Sequence, residues 1–372
     1  MAGLYIHIPF CHHKCIYCDF YSIAQSFDKS VYVDSLVKEI EHRKDFLKGR
    51  LDTIYFGGGT PSLLKVEDVA RIFEAIHSNF SLNPDNEITF EANPENITKE
   101  YIQQLRDLGI NRISLGVQSF NDKDLKLINR SHNSLVARKA IETILENNIE
   151  NISIDLISNL PYTTLSSWEE SLRIFLEYSL PHISCYTLMR EEGTMLDRLL
   201  KKEKLSLLSE EDALKQLDLT MDILEENGYN HYETSSYAKP GFHSKHNMSY
   251  WTFQDYLGIG AGAHSYKEGL RMWNEDDVYS YTERIDRGEF FSKEREEILE
   301  EKDKYNEYVM LASRMKKGLK DSYVKEKFPQ YYSYFSRQIN KLVKENFLTQ
   351  DLTLTTKGWH LQDEMILTLA LD

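Results

Sequence analysis

Apolar positions in the first half of the chain alternate between two rhythms. Short apolar runs at Leu4–Ile8, Thr53–Phe56, Glu87–Glu91, Arg112–Val117, Ile152–Leu156 and His182–Thr187 read as strands. Between them apolar residues recur at helical spacing. Val33, Leu36, Val37 and Ile40 mark one helix over Val31–Phe46, and Val69, Ile72, Phe73 and Ile76 mark another over Val66–Phe80. Ser134–Leu145 and Leu165–Tyr178 repeat the pattern. Strand–helix alternation predicts parallel strands joined by helical crossovers. Six such units are too few for a closed eight-fold barrel, so the expected fold is α/β, a partial (βα)6 TIM-like barrel. A flat, doubly wound sheet satisfies the same periodicity.

The rhythm changes near residue 190, which predicts a barrel core over 1–190. A charged helical stretch follows over Glu191–Asn227, then a Tyr/His/Gly-rich segment over Gly228–Tyr266. Residues 191–290 are therefore expected to form an extension that closes the barrel. Over 291–372 the pattern is helical again and ends in a Thr-rich stretch, Asn346–Trp359. This predicts a smaller α+β, winged-helix-like C-terminal domain. Such modules often bind DNA, but nothing here is strongly basic, which favours a packing role.

The chain has 372 residues and a formal net charge of −15, which disfavours nucleic acid as a partner. No run is apolar enough to span a bilayer, and the start resembles a strand rather than a signal peptide. A cytoplasmic protein is expected, with room for a peripheral membrane partner but no membrane segment. There are four cysteines, Cys11, Cys15, Cys18 and Cys185, and three fall within eight residues. That spacing suits metal or redox chemistry better than a secreted disulfide scaffold.

Cys11, Cys15 and Cys18 have the spacing C-x3-C-x2-C. Three thiolates on one loop can hold three corners of a 4Fe–4S cubane and leave the fourth iron open to a small molecule. Zinc is an alternative, with His7, His12 or His13 as fourth ligand. A redox C-x2-C pair is another. Gly57-Gly58-Gly59-Thr60-Pro61-Ser62 follows the second strand and lacks the spacing and Lys of a phosphate loop. Glycine there lets backbone approach a ligand closely. Glu91, Gln118 and Asp155 recur near strand ends, with Arg130 in the segment after the fourth strand. A mouth with these groups can hold a ribose, a carboxylate and an ammonium.

The motif C-x3-C-x-aromatic-C after a first strand, with Tyr17 as the aromatic, resembles the radical S-adenosylmethionine (SAM) superfamily. The resemblance implies a 4Fe–4S cluster whose open iron binds SAM, and one-electron cleavage of SAM to a 5′-deoxyadenosyl radical. A narrower likeness runs through Gly-Gly-Gly-Thr-Pro-Ser, Glu-Ala-Asn-Pro, Gly-Val-Gln-Ser-Phe, Asn129-Arg130, Asp155-Leu156-Ile157 and Leu160-Pro161. These match the family of the oxygen-independent coproporphyrinogen III dehydrogenase (HemN type) and its heme-chaperone relatives (HemW type). The likeness implies SAM contacts at Tyr5, Tyr17, Gly58, Gly59, Thr60, Glu91, Gln118, Arg130 and Asp155. The chain departs from the family in having Ser158-Asn159 where Tyr-Gly is usual before Leu-Pro.

Two features separate the branches. The dehydrogenase carries a further cysteine two residues after the third, where this chain has Phe20, and an extension before the cysteine strand. His246-Asn-Met-Ser-Tyr-Trp251 matches the H-N-x-x-Y-W signature associated with heme binding in HemW. The resemblance therefore implies a heme chaperone that delivers heme to an acceptor protein, with His246 as candidate heme ligand and His264 as a weaker one. Its electron donor is unspecified. The dehydrogenase is the alternative. From the residues alone, the favoured reading is that His246 and Trp251 build the junction between the two domains.

Overall fold

The structure is a computed structural model that describes residues 2–291 and 293–371. Six strands form its centre: β1 (Ala2–Ile8), β2 (Leu51–Gly58), β3 (Leu82–Ala92), β4 (Arg112–Gln118), β5 (Asn151–Ser158) and β6 (His182–Thr187). Each pairs in parallel with the next in sequence. A doubly wound sheet would reverse its strand order part-way, which places helices on both faces. An unbroken 1–2–3–4–5–6 order instead keeps every right-handed crossover on the same side, so the sheet curls. The sheet is unclosed and fits the expected partial barrel rather than the doubly wound alternative.

Side chains alternate between the two faces of each strand. Leu4, Ile6 and Ile8 of β1, Ile54 and Phe56 of β2, and Ile88 and Phe90 of β3 are buried in the main core. They pack with Val33, Leu36 and Ile40 of the helix Lys29–His42 and with Val69, Ile72 and Phe73 of Val66–Asn79. The opposite face is polar: Tyr5, Thr53, Tyr55, Thr89, Glu91, Ser114, Ser153, Asp155 and Ser184 occupy the alternate positions. The helices Ser134–Glu146 and Leu165–Glu177 begin at side-chain caps on Asn133 and Thr164, the latter in a capping box with Ser167.

The Tyr/His/Gly-rich segment contributes strands that the sequence did not foretell. Beyond β6 the sheet is extended by β7 (Asn230–Glu233) and β8 (Ser236–Ala238): β8 pairs antiparallel with β6, and β7 pairs antiparallel with β8 at the edge. On the other flank β9 (Asp255–Ile259) joins β1 in parallel, followed by β10 (His264–Lys267), β11 (Leu270–Trp273) and β12 (Glu296–Ile298). The charged stretch 191–227 is helical as expected and holds two helices, Met195–Lys201 and Glu210–Glu226. A second apolar cluster, with Tyr305, Val309, Phe335, Leu342 and Leu369, fills the C-terminal region. In the Thr-rich end Leu348 and Leu354 form an isolated antiparallel bridge. Among the described residues no helix is long and apolar enough to cross a membrane.

A buried carboxylate ties the first helix to the β9 flank. Glu39 is wholly buried. It pairs with Arg43 at 3.2 Å and accepts hydrogen bonds from Tyr281 (2.7 Å), the Gly260 backbone (2.9 Å) and Asn274 (2.9 Å). Arg43 in turn donates to the Gly258 carbonyl at 3.1 Å. Breaking a buried pair strands a charge, at about 3–5 kcal/mol. Glu39→Leu is therefore expected to lower the unfolding free energy by an amount of that order, read as a shifted denaturant midpoint. An unchanged midpoint would show that the network does not hold the flank.

Candidate functional site

The carboxyl ends of the barrel strands open into a cavity of about 350 Å³. Its roof is the cysteine loop that leaves β1. The loop is closed at its base by two backbone hydrogen bonds, Cys11 N to Ile23 O (2.9 Å) and Ile23 N to Pro9 O (2.7 Å). Its middle is pinned at Ile16, whose carbonyl accepts from Leu196 N at 2.7 Å. Ile16 and Tyr17 pack on a small apolar cluster of Ile128, Ile157, Leu160, Leu188 and Leu196. Asn129 donates to the Lys14 carbonyl at 3.2 Å. The loop is thus held from three directions, with Cys11, Cys15 and Cys18 all on the cavity wall and all four cysteines free of disulfides.

The glycine run sits directly beneath. Gly59 N donates to Ile8 O at 2.8 Å. A Cβ on Gly59 would lie 2.8 Å from the Phe10 carbonyl, and one on Gly58, whose φ is +108°, would lie 2.5 Å from the His7 ring. Only glycine lets β2 end against the cysteine strand. Thr60 then turns its hydroxyl to Cys11 Sγ at 3.6 Å. Arg130 is clamped by Asn93 Oδ1 and the Gly116 carbonyl, each at 2.7 Å, and reaches Cys15 Sγ at 3.7 Å through Nη1. Its Nε is buried and has no protein partner.

Two carboxyls face the same space from the floor. Burial pushes Glu91 up to about 7, with repulsion from Asp155 adding to it, although Tyr55 donates to Glu91 at 2.7 Å. Burial likewise raises Asp155 to about 6, against a hydrogen bond from Ser114 at 3.2 Å. Gln118 borders the cavity with φ at +67°, a left-handed conformation that costs a non-glycine residue roughly 1–3 kcal/mol. Strain of this kind gathers where a site dictates the backbone.

Of the predicted residues, the structure brings together the three cysteines, Tyr17, Gly58, Gly59, Thr60, Glu91, Gln118, Arg130 and Asp155. Tyr5 lies outside the cavity wall. Its hydroxyl pairs with His7 Nδ1 at 3.0 Å, and its ring stacks near Tyr55 and His246. His246 is not brought to the cavity either. It is 1% exposed, and both ring nitrogens are committed, Nδ1 to Thr53 at 2.8 Å and Nε2 to Tyr250 at 2.8 Å. It stacks on Tyr55 and packs against Gly3 at the amino end of β1. His264 stands on the β10 flank beside Trp273. Sequence reasoning passed over Asn93, Ser114 and Gly116, whose site roles rest on partners distant in sequence.

The family model for the radical SAM superfamily matches residues 5–175. The chain is 37% identical to the heme chaperone HemW of Lactococcus lactis over 99% of its own length and 97% of that protein's. This chain belongs to the HemW family of radical SAM proteins. The Escherichia coli HemW shares 37% identity over 70% of the chain and 69% of its own. The HemW-family chain also has the fold of coproporphyrinogen III oxidase (HemN) from Escherichia coli, with a TM-score of 0.84 at 24% identity over 99% of this chain and 89% of that one.

Radical SAM membership implies a 4Fe–4S cluster and SAM. The site fits both. The three thiols border one shared space, as ligands to separate corners of a cubane would. The donors on Cys11 and Cys15 suit thiolate charge, and the partnerless Arg130 Nε, the raised carboxyls and the glycine edge leave room and polarity for a small zwitterion.

Burial raises Glu91 above its ordinary value of 4.5 in the folded state. The protonated form therefore supports the fold fully below that value, and the contribution fades as pH climbs through about 7. Glu91→Gln removes the ionisation. Its melting temperature, relative to wild type in the cofactor-free protein, is expected to rise more at pH 8 than at pH 5. An equal difference at both would contradict the raised carboxyl.

Proposed function

We propose that this protein is a heme chaperone, which binds heme and hands it to an acceptor protein, and which carries a 4Fe–4S cluster on Cys11, Cys15 and Cys18 with SAM in the cavity below. The observation that carries this reading is the similarity to a heme chaperone HemW over almost the full length of both chains. When bound, the cluster offers SAM an iron without a protein ligand and a source of one electron. The protein's part is to hold and orient. Cys11, Cys15 and Cys18 supply thiolates, and Thr60 and Arg130 donate to two of them. Tyr17 closes the roof beside Cys15. Gly58 and Gly59 keep the strand edge low, and Gln118 borders the same space. Glu91 and Asp155 are acceptors for an ammonium or a ribose hydroxyl, and their burial makes an unpaired charge there unfavourable until such a partner arrives.

On this reading residues 1–190 carry the cofactors, 191–290 brace the barrel through its flanking strands, and 291–372 form a separate C-terminal module. Three closely spaced thiols kept free for iron suit a reducing compartment, so a cytoplasmic setting is part of the proposal.

The alternative reading is an oxygen-independent coproporphyrinogen III oxidase, whose fold the chain shares. An anaerobic assay of the reconstituted protein with SAM, a strong reductant and coproporphyrinogen III separates the two, with a genuine oxidase run alongside. No protoporphyrinogen is expected from this protein while the control turns over. Turnover would overthrow the chaperone reading. Cys15→Ala is expected to lose the intact 4Fe–4S cluster, measured as iron and sulfide per chain, and with it SAM cleavage. A full cluster in that variant would contradict the ligand assignment.

A further inference from the structure

We propose that heme sits on the exposed rim of the cavity, with the imidazole of His12 as its axial ligand and Phe20 and Met189 as its apolar seat. The inference rests on the heme-chaperone reading and says where on this chain the cargo is held.

Three observations carry it. The first is exclusion of the histidine that the sequence favours. His246 is 1% exposed and spends both nitrogens on Thr53 and Tyr250. Iron could reach it only after those bonds broke and the ring left its stack with Tyr55. The second is an available ligand. His12 lies on the cavity rim, is exposed, and its ring has no partner among the described residues. Its neighbour His13 is engaged with Ser131 at 3.0 Å. A neutral imidazole with a free lone pair is a strong axial ligand for heme iron, and the bond needs no redox change in the protein.

The third is the seat itself. Phe20 is 67% exposed and Met189 66%, and both border the same rim as His12. Large apolar side chains scattered singly on a surface need no explanation, but two around one opening beside a free imidazole match a porphyrin face. Lys14 on the rim is the cation for a propionate, while Asp19 and Glu191 oppose one, so the propionate edge turns toward Lys14. A rim site leaves one heme edge open to an acceptor, which a site inside the barrel would not.

The test is a hemin titration of the cluster-reconstituted protein, followed by difference absorbance and by the spectrum of the bound iron. His12→Ala, an exposed change, should keep wild-type iron, sulfide and melting temperature. It should weaken heme binding by roughly tenfold or more and lose the imidazole-ligated spectrum. Phe20→Ala with Met189→Ala should weaken binding while keeping that spectrum's imidazole features. His246→Gln, checked for folding by circular dichroism, should bind as wild type does. Unchanged affinity and spectrum in His12→Ala would overturn the rim site while leaving the chaperone reading intact. Failure of the wild type to take up heme would overturn both.

Discussion

The end of β1 lies against the end of β2 with no space for a Cβ between them. Gly58 and Gly59 meet the His7 ring and the Phe10 and Ile8 carbonyls at distances that any other residue would violate. That approach fixes where the chain emerges as the cysteine loop, and the hydrogen bond from Gly59 to Ile8 locks the register. Thr60 follows at once and reaches Cys11, and Asn93, next along the sheet, reaches both Thr60 and Arg130. Arg130 then closes the circuit on Cys15. The cluster loop is thus part of the sheet's own bonding rather than an appendage above it.

The polar inner face has a cost that the outer face offsets. Leu, Ile and Phe positions alternate with Tyr, Thr, Ser, Glu and Asp along the same strands, so the apolar set can be buried completely under the helices. The inner set is then satisfied mostly by itself: Thr53 with His246, Ser153 with His182 at 2.7 Å, Tyr55 with Glu91. At the cavity end the carboxyls are raised and a guanidinium nitrogen of Arg130 is left without a partner. Polar groups left incompletely paired around a cavity are what a bound ligand can satisfy.

Local pattern carried most of the centre. The six strands and four of the helices were legible because their periodicity is set by residues a few positions apart, and the cysteines because three ligands share one loop. The helix Lys99–Asp107 and the six flanking strands were not, since β7 to β12 are short and take their identity from partners in the core sheet. The histidine in the H-N-x-x-Y-W segment was legible as notable but not as placed. Its surroundings, Thr53 and Glu87, come from strands some 160 to 190 residues earlier. Glu39 carried no signal at all, because a buried carboxylate on a helix reads like any exposed one until Tyr281, Asn274 and Gly260 are brought to it.

The central claim is that the three thiols hold a cluster whose remaining iron opens onto the acid-lined cavity. Electron paramagnetic resonance of the reconstituted, reduced protein, recorded with and without SAM, tests it most directly. The account predicts a 4Fe–4S signal that changes shape when SAM is added. A full cluster whose signal ignores SAM would contradict it.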